Sequence, residues 1–160
     1  MNLNNKVVVI TGASSGVGKA SAIEFAKKKC HLVLVARRLD KLIELKNSLQ
    51  HINNQIFIVK ADIGLSKEVQ QVFIKTEKQF GKVDVLINNA GRGLKSKLLD
   101  ITESEWDAVH QTNVKGVFLC TQAAVGIMKK NKTPGHVITV SSIAGLYGAP
   151  GYSGYCSSKH

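Results

Sequence analysis

The sequence has no apolar run long enough to cross a bilayer, no CxxC pair and few acidic residues. Each lack closes a class of reading. A helical membrane span needs about twenty consecutive apolar residues, and nothing here approaches that. The opening Met1-Asn-Leu-Asn-Asn5 is polar, and the apolar run after it is too short for a secretory core, so no signal peptide is expected. Cys30, Cys120 and Cys156 are odd in number and widely spaced. They read as reduced thiols of a cytoplasmic protein, not as a disulfide framework, and no metal site is expected. Internal repeats, linkers and low-complexity segments are also missing, so residues 1–160 read as one domain.

The scarcity of acids sets 11 Asp and Glu against 22 Lys and Arg, a formal net charge of +11. Such a balance raises nucleic-acid binding as one reading. The cations are scattered, however, at Lys27 to Lys29, Arg37-Arg38, Lys95, Lys97 and Lys129-Lys130, with no stripe of interleaved aromatics. A lysine-rich surface is the preferred reading, with no nucleic-acid partner. The remaining composition, 44% hydrophobic and 21% charged, is ordinary for a globular protein.

What is present begins at Lys6-Val-Val-Val-Ile10, followed by Thr11-Gly-Ala-Ser-Ser-Gly-Val-Gly18. Four branched residues without polar alternation predict a strand buried on both faces. The glycine turn then leads into helical spacing at Ala22, Phe25 and Ala26, closed by Lys27 to Lys29. Strand, glycine turn and helix bring backbone N–H groups and a helix N-terminus to one spot, which suits a phosphate or pyrophosphate.

The same alternation continues. His31–Ala36, Ile56–Val59, Val83–Ile87 and Val137–Val140 predict four further strands. Leu39, Leu42, Leu45 and Leu49 predict one helix. Val69, Val72, Phe73, Thr76 and Phe80 predict another, capped by Ser66 and stopped by Gly81. Thr102-x-x-Glu105 is a capping box opening a long helix, with Trp106, Val109, Asn113, Val117, Thr121, Ala124 and Met128 inward. A last helix is predicted from about Tyr152. Strands alternating with helices of this length indicate βαβ units, an α/β fold with a parallel β-sheet and right-handed crossovers. The fifth strand would be a bare sheet edge, so the chain is expected to be a piece of a longer one.

Several residues carry chemistry. Arg37 and Arg38 stand at the end of the second strand, where a dinucleotide fold reads the adenosine ribose. An acid there suits NAD, a cation the extra phosphate of NADP. They could equally be solvated arginines. Asp62 could accept from an adenine amino group or cap a turn. In Asn88-Asn89-Ala90-Gly91 the amides could join strand ends, and Gly91 lets backbone approach a cofactor. Asn113 is an amide in a mostly apolar stripe, fit either to bend the helix or to order a water. Tyr155 and Lys159 share a helix face at i, i+4, and a nearby ammonium favours the phenolate. Tyr147 and Tyr152 have no such lysine. Ser141 and Ser142 end the fifth strand, and only one can face Tyr155.

Taken together, Thr11–Gly18, Asn88–Gly91, Asn113, Ser142 and Tyr155-Cys-Ser-Ser-Lys159 resemble the short-chain dehydrogenase/reductase family, in order and spacing. The resemblance implies a Rossmann-like, doubly wound parallel β-sheet with helices on both faces and a nicotinamide cofactor. Gly12, Ser14, Ser15, Gly16, Val17, Gly18, Arg37, Arg38, Asp62, Ile63, Asn89, Ala90, Gly91, Tyr155 and Lys159 would bind it. Arg37 favours NADP(H) over NAD(H), although Ser15 is not the basic residue of many NADP-dependent members. Tyr155 would be the acid–base, and Lys159 would bond the nicotinamide ribose and tune it. Ser142, chosen over Ser141 by its separation from Tyr155, would hold the substrate oxygen, and Asn113 would anchor a relay water. The implied activity is hydride transfer between NADP(H) and a small carbonyl or alcohol substrate, in a cytoplasmic homodimer or homotetramer with no membrane partner. A non-catalytic NADP(H)-binding module is the alternative.

Overall fold

A computed structural model describes residues 3–53 and 55–160. Its sheet has five strands: β1 (Val7–Thr11), β2 (His31–Ala36), β3 (Ile56–Lys60), β4 (Val85–Asn88) and β5 (His136–Thr139). All pairings are parallel, in the order β3-β2-β1-β4-β5. The helices between them are α1 (Gly16–Lys27), α2 (Leu39–Leu49), α3 (Ser66–Phe80), α4 (Glu103–His110) and α5 (Gly116–Lys130), with α6 (Ser153–Lys159) last.

Alternation along the central strands produces two cores. Val7, Val9, Val33 and Val35 face one side, where they meet Val69, Val72 and Phe73 of α3 and Cys120 and Ala124 of α5. Val8, Ile10, Leu32 and Leu34 face the other, against Ala22 and Ala26 of α1 and Leu42, Leu45 and Leu49 of α2. Neighbouring strand residues point to opposite faces, so a run of branched residues supplies both cores at once. Each fully buried aliphatic side chain contributes about 1.5–3 kcal/mol of transfer free energy. Burial also pushes the Cys120 thiol up to about 12, which leaves it an inert core group.

The expected strands are present, with ends shifted by one or two residues. β5 is the edge, and Val137 and Ile138 are 38% and 47% exposed there. Four details differ from the periodicity. Ser66 is the first residue of α3 and does not cap it; Leu65 precedes the helix without a side-chain cap. The carboxylate of Glu68 instead accepts the Asp62 N–H at 2.7 Å, and Asp62 Oδ1 accepts the Gly64 N–H at 2.9 Å, so the turn closes through its acids. Leu39 opens α2 and is exposed, because the helix buries its stripe only from its second turn.

The long helix from the capping box is interrupted. Thr102 and Glu105 close the box as expected, but Gln111–Lys115 forms a π-helical turn between α4 and α5. Gly116 follows it because a Cβ there would lie 2.7 Å from Ile63 Cδ1. Trp106 is also half-exposed rather than buried. It stacks on His110, with ring centroids 4.3 Å apart, and backs Gly154 of α6.

At the bottom of the sheet, buried Asp84 joins β1 to β4. Its carboxylate accepts the Val7 N–H at 2.8 Å and pairs with Lys6 at 3.0 Å and Lys82 at 2.9 Å. Burial raises its pKa, but the Val7 N–H and the two lysines more than offset this and hold the carboxyl below its usual range. A depressed folded-state pKa stabilises the fold above the ordinary aspartate value, and that contribution is lost as pH falls through the folded value. Asp84→Asn is therefore expected to cost about 1–3 kcal/mol at pH 7. Urea unfolding at pH 7 and pH 3 checks it: the gap between wild type and variant should close at the lower pH.

Candidate active site

The strands all end on the same side, and a cleft opens there beside β1. Thr11, fully buried, is its anchor. Its Oγ1 accepts the N–H groups of Asn89 and Ala90 at 3.0 and 3.1 Å and donates to Ile87 O at 3.3 Å. Asn89 answers by donating Nδ2 to Thr11 O and Gly12 O at 3.0 and 3.2 Å. The glycine turn is thus clamped to the end of β4. Close approach dictates glycine at two positions. A Cβ on Gly12 would lie 2.7 Å from Ala90 Cα, and one on Gly18 would meet Gly12 O at 2.5 Å. Gly16 differs: its φ is +54°, and no protein atom lies within 4 Å of where a Cβ would be. The turn therefore opens on its outer side. α1 begins there with no acid in its first turn and no side-chain cap from Ser15. Its positive end is available to an anion.

The cleft has a volume of about 320 Å3. Gly12, Ser14, Ser15, Val17, Arg37, Arg38, Asp62, Ile63, Asn89, Ala90 and Gly91 line it. Gly16 and Gly18 shape the turn without lining the cleft. The lining also includes Val35, Ala36, Ala61 and Thr112, which the sequence did not single out. The first three are strand-end residues, legible in retrospect once strand ends are known to converge; Thr112 comes from the π turn, which has no sequence signal here. Arg38 donates to Ser14 Oγ and Ser15 Oγ at 2.9 and 2.7 Å, forming a polar bracket at the mouth. Arg37 turns toward Asp62, with its Nη1 3.8 Å from the carboxylate.

The tyrosine and lysine singled out in the sequence lie on α6, off the cleft but joined to it at Gly91. Lys159 Nζ donates to Val140 O at 2.9 Å and sits 3.6 Å from the Cβ position of Gly91. It lies 5.9 Å from the centroid of the Tyr155 ring. Burial lowers the Lys159 pKa from its ordinary value. No described residue hydrogen-bonds the Tyr155 hydroxyl. Ser142 Oγ accepts the Ala144 N–H at 3.2 Å, and its hydroxyl hydrogen has no acceptor among the described residues. Ser141 turns the other way and donates to Lys159 O at 2.9 Å, tying the last turn of α6 to β5.

Asn113 does more than either sequence reading allowed. Both amide hydrogens are used, Nδ2 donating to Arg92 O at 2.9 Å and Ser158 Oγ at 2.8 Å. Its Oδ1 accepts the Arg92 N–H at 2.7 Å. Ser158 in turn donates to Tyr155 O at 2.8 Å. One buried amide therefore links the π turn, the segment after β4, and α6. Ser158 was missed in the sequence, where one more serine in a short helix carries no signal. Asn88 Nδ2 reaches Thr121 at 3.0 Å, while its buried Oδ1 has no protein partner among the described residues.

The model of the family described as short chain dehydrogenase matches residues 6–160. The chain belongs to the short-chain dehydrogenase family. Within that family it is 35% identical over 159 residues to a 3-oxoacyl-[acyl-carrier-protein] reductase of Thermotoga maritima, covering 99% of this chain and 64% of the relative. It is 38% identical over 159 residues to a farnesol dehydrogenase of Aedes aegypti, covering 97% and 65%. A short-chain dehydrogenase/reductase of Burkholderia phymatum, solved in complex with NAD, superposes with a TM-score of 0.97 at 32% identity, covering 100% of this chain and 57% of that one. An alcohol dehydrogenase of Thermococcus sibiricus, complexed with 5-hydroxy-NADP, gives 0.89 at 31% identity, covering 96% and 65%. The chain thus spans less than two thirds of the length of these short-chain dehydrogenases.

Thr11→Val keeps the volume but removes three hydrogen bonds, leaving the buried N–H groups of Asn89 and Ala90 short of an acceptor. A loss of about 1–3 kcal/mol is expected. Chemical denaturation measures it, and faster amide exchange at Asn89 and Ala90 than elsewhere in β4 localises it.

Proposed function

We propose that the intact protein is an NADP(H)-dependent oxidoreductase that interconverts a carbonyl compound and its alcohol. The observation that carries this reading is the Lys159 ammonium, 5.9 Å from the Tyr155 ring centroid and next to Gly91 at the lip of a cleft fitted for a dinucleotide, with the Tyr155 hydroxyl bonded to no described residue. The cleft fits such a group on three counts: an open glycine turn, a helix N-terminus free of acids, and a polar bracket at the mouth.

Bound nicotinamide nucleotide would supply or accept the hydride. The pyrophosphate would lie against the turn of Gly12, Ser14, Gly16 and Val17, whose backbone needs no side chain to attract an anion. Arg38, Ser14 and Ser15 would take the 2′-phosphate, with Arg37 adding charge. Arg38 is the better placed of the two arginines, because Arg37 is drawn to Asp62. Asp62 and Ile63 would meet the adenine, and Asn89, Ala90 and Gly91 the ribose nearer the reaction.

In the reducing direction Tyr155 donates its proton to the carbonyl oxygen while Ser142 holds that oxygen with its free hydroxyl hydrogen. Lys159 then stabilises the phenolate that remains. The π turn frees helical backbone groups near Asn113, which suits the ordering of a relay water. The side chain of Asn113 contributes by fixing α6, its amide hydrogens being already used. A homodimer or homotetramer is proposed through α5 and α6, supported by the exposed Val114, Phe118 and Val125 along the helical run of α5. Among the described residues no helix is long and apolar enough to cross a membrane; a cytoplasmic location is proposed.

Tyr155→Phe in the intact protein should lower kcat on a panel of ketones by at least about a hundredfold while NADPH still binds. Spectrophotometric NADPH oxidation and fluorescence titration separate the two effects. Undiminished turnover would remove Tyr155 from its role, and NADPH binding without turnover in wild type would leave a binding module. Arg38→Ala should weaken NADPH about tenfold or more and NADH far less, since a charge-assisted phosphate contact is lost only from the former. Parallel titrations with the two nucleotides test this.

A further inference from the structure

Three cations immediately after the Asn88–Gly91 segment lie outside the lining of the cleft. Arg92, Lys95 and Lys97 are exposed, and none forms an ion pair with a described residue. Glu105 is close enough to feel the charge of Arg92. Its carboxylate is taken up by the Thr102 N–H at 3.0 Å and the Thr102 hydroxyl at 2.9 Å.

The segment carrying these charges is not loose. Asn113 grips Arg92 by both its N–H and its carbonyl. The Ser96 N–H donates to Gly151 O at 2.9 Å, and Lys95 Nζ lies 5.8 Å from the centroid of the Tyr152 ring. Residues 92–97 are therefore strapped to the approach to α6, where Tyr152 stands three residues ahead of Tyr155. Lys159 adds a fourth cation beside Gly91. Gathering like charges on a pinned segment is unfavourable unless an anion comes to them. On the reading above, the nucleotide phosphates would be held elsewhere, at the turn of Gly12 to Val17 and at Arg38.

We propose that this strap reads a negative charge on the substrate itself: the carbonyl compound bears a carboxylate or a phosphate away from the reacting carbon, held by Lys95 and Lys97. This rests on the oxidoreductase reading above. It adds a substrate class that the reading leaves open.

The test uses the intact protein and matched pairs: a keto acid against its methyl ester, and a ketone phosphate against the parent hydroxyketone. The anionic member of at least one pair should have the higher kcat/KM through a lower KM, and its advantage should shrink between 20 and 300 mM NaCl, conditions in which the screening length falls by roughly a factor of four. Lys95→Gln with Lys97→Gln should reduce the anionic-to-neutral ratio about tenfold. The control Lys75→Gln with Lys78→Gln, which removes the same charge from α3, should leave the ratio alone. Which pair responds tells carboxylate from phosphate. Equal kcat/KM for both members of both pairs, or a ratio unmoved by the Lys95 and Lys97 changes, overturns the proposal while leaving the oxidoreductase reading standing. A binding titration of the same compounds to NADPH-loaded protein reads the charge preference without turnover. Preferential anion binding lost with Lys95 and Lys97, but with no reduction of any compound, would support the strap and refute the reductase. No preference in either assay refutes the strap.

Discussion

The structure depends on how the end of β1 is held against the end of β4. A parallel sheet leaves its strand termini unsatisfied where the chain departs for the next helix. Thr11 and Asn89 resolve this by exchanging side-chain bonds across the two strands. One hydroxyl oxygen accepts two backbone N–H groups, and one amide nitrogen donates to two carbonyls. Because these groups are shielded from water, the bonds are costly to break. They set the distance between the glycine turn and the Asn89–Gly91 segment, which is the width of the cleft. The absence of side chains at Gly12 and Gly18 then lets the two walls approach without colliding.

Asn113 plays the corresponding part at the other end of the site. The helical run from Thr102 to Lys130 has to cover β4 while also reaching α6. An unbroken α-helix presents a fixed succession of faces. The π turn changes the rotation at 111–115, so Asn113 can turn its amide to Arg92 and Ser158 while Cys120 and Ala124 remain in the core. A short helix such as α6 has little stability of its own. It is held instead by Ser158 to Asn113, by Ser141 to Lys159 O and by the Lys159 ammonium to Val140 O. The same bonds that secure the helix orient the tyrosine and lysine it carries. Stability and site geometry have a common source here.

Electrostatics divide the molecule in a similar way. Buried Asp84 at the foot of the sheet is surrounded by two lysines and an N–H group, a structural arrangement with every charge answered. At the head of the sheet the cations are less fully answered. Arg38 is bracketed by two neutral hydroxyls, Lys159 by one carbonyl, and the strap from Arg92 to Lys97 by no carboxylate. The uneven pairing, rather than the total of +11, marks the side of the molecule that meets anions.

By itself the sequence determined the parallel sheet, its two cores and the order of the chemical groups along the chain. These follow from local rules: branched runs make buried strands, leucines at helical spacing make covering helices, and Thr102 with Glu105 begins a helix wherever it is placed. The tertiary structure decided what those groups touch. That Ser141 turns to the backbone of α6 while Ser142 keeps a free hydroxyl, that Arg37 leans to Asp62 while Arg38 brackets two serines, and that the Asn113 amide is spent on Arg92 and Ser158 are contacts between residues 18 to 45 positions apart or more. No periodicity encodes them, because a hydrogen bond depends on where two backbones meet in space, and that is settled only when the sheet and its helices have packed.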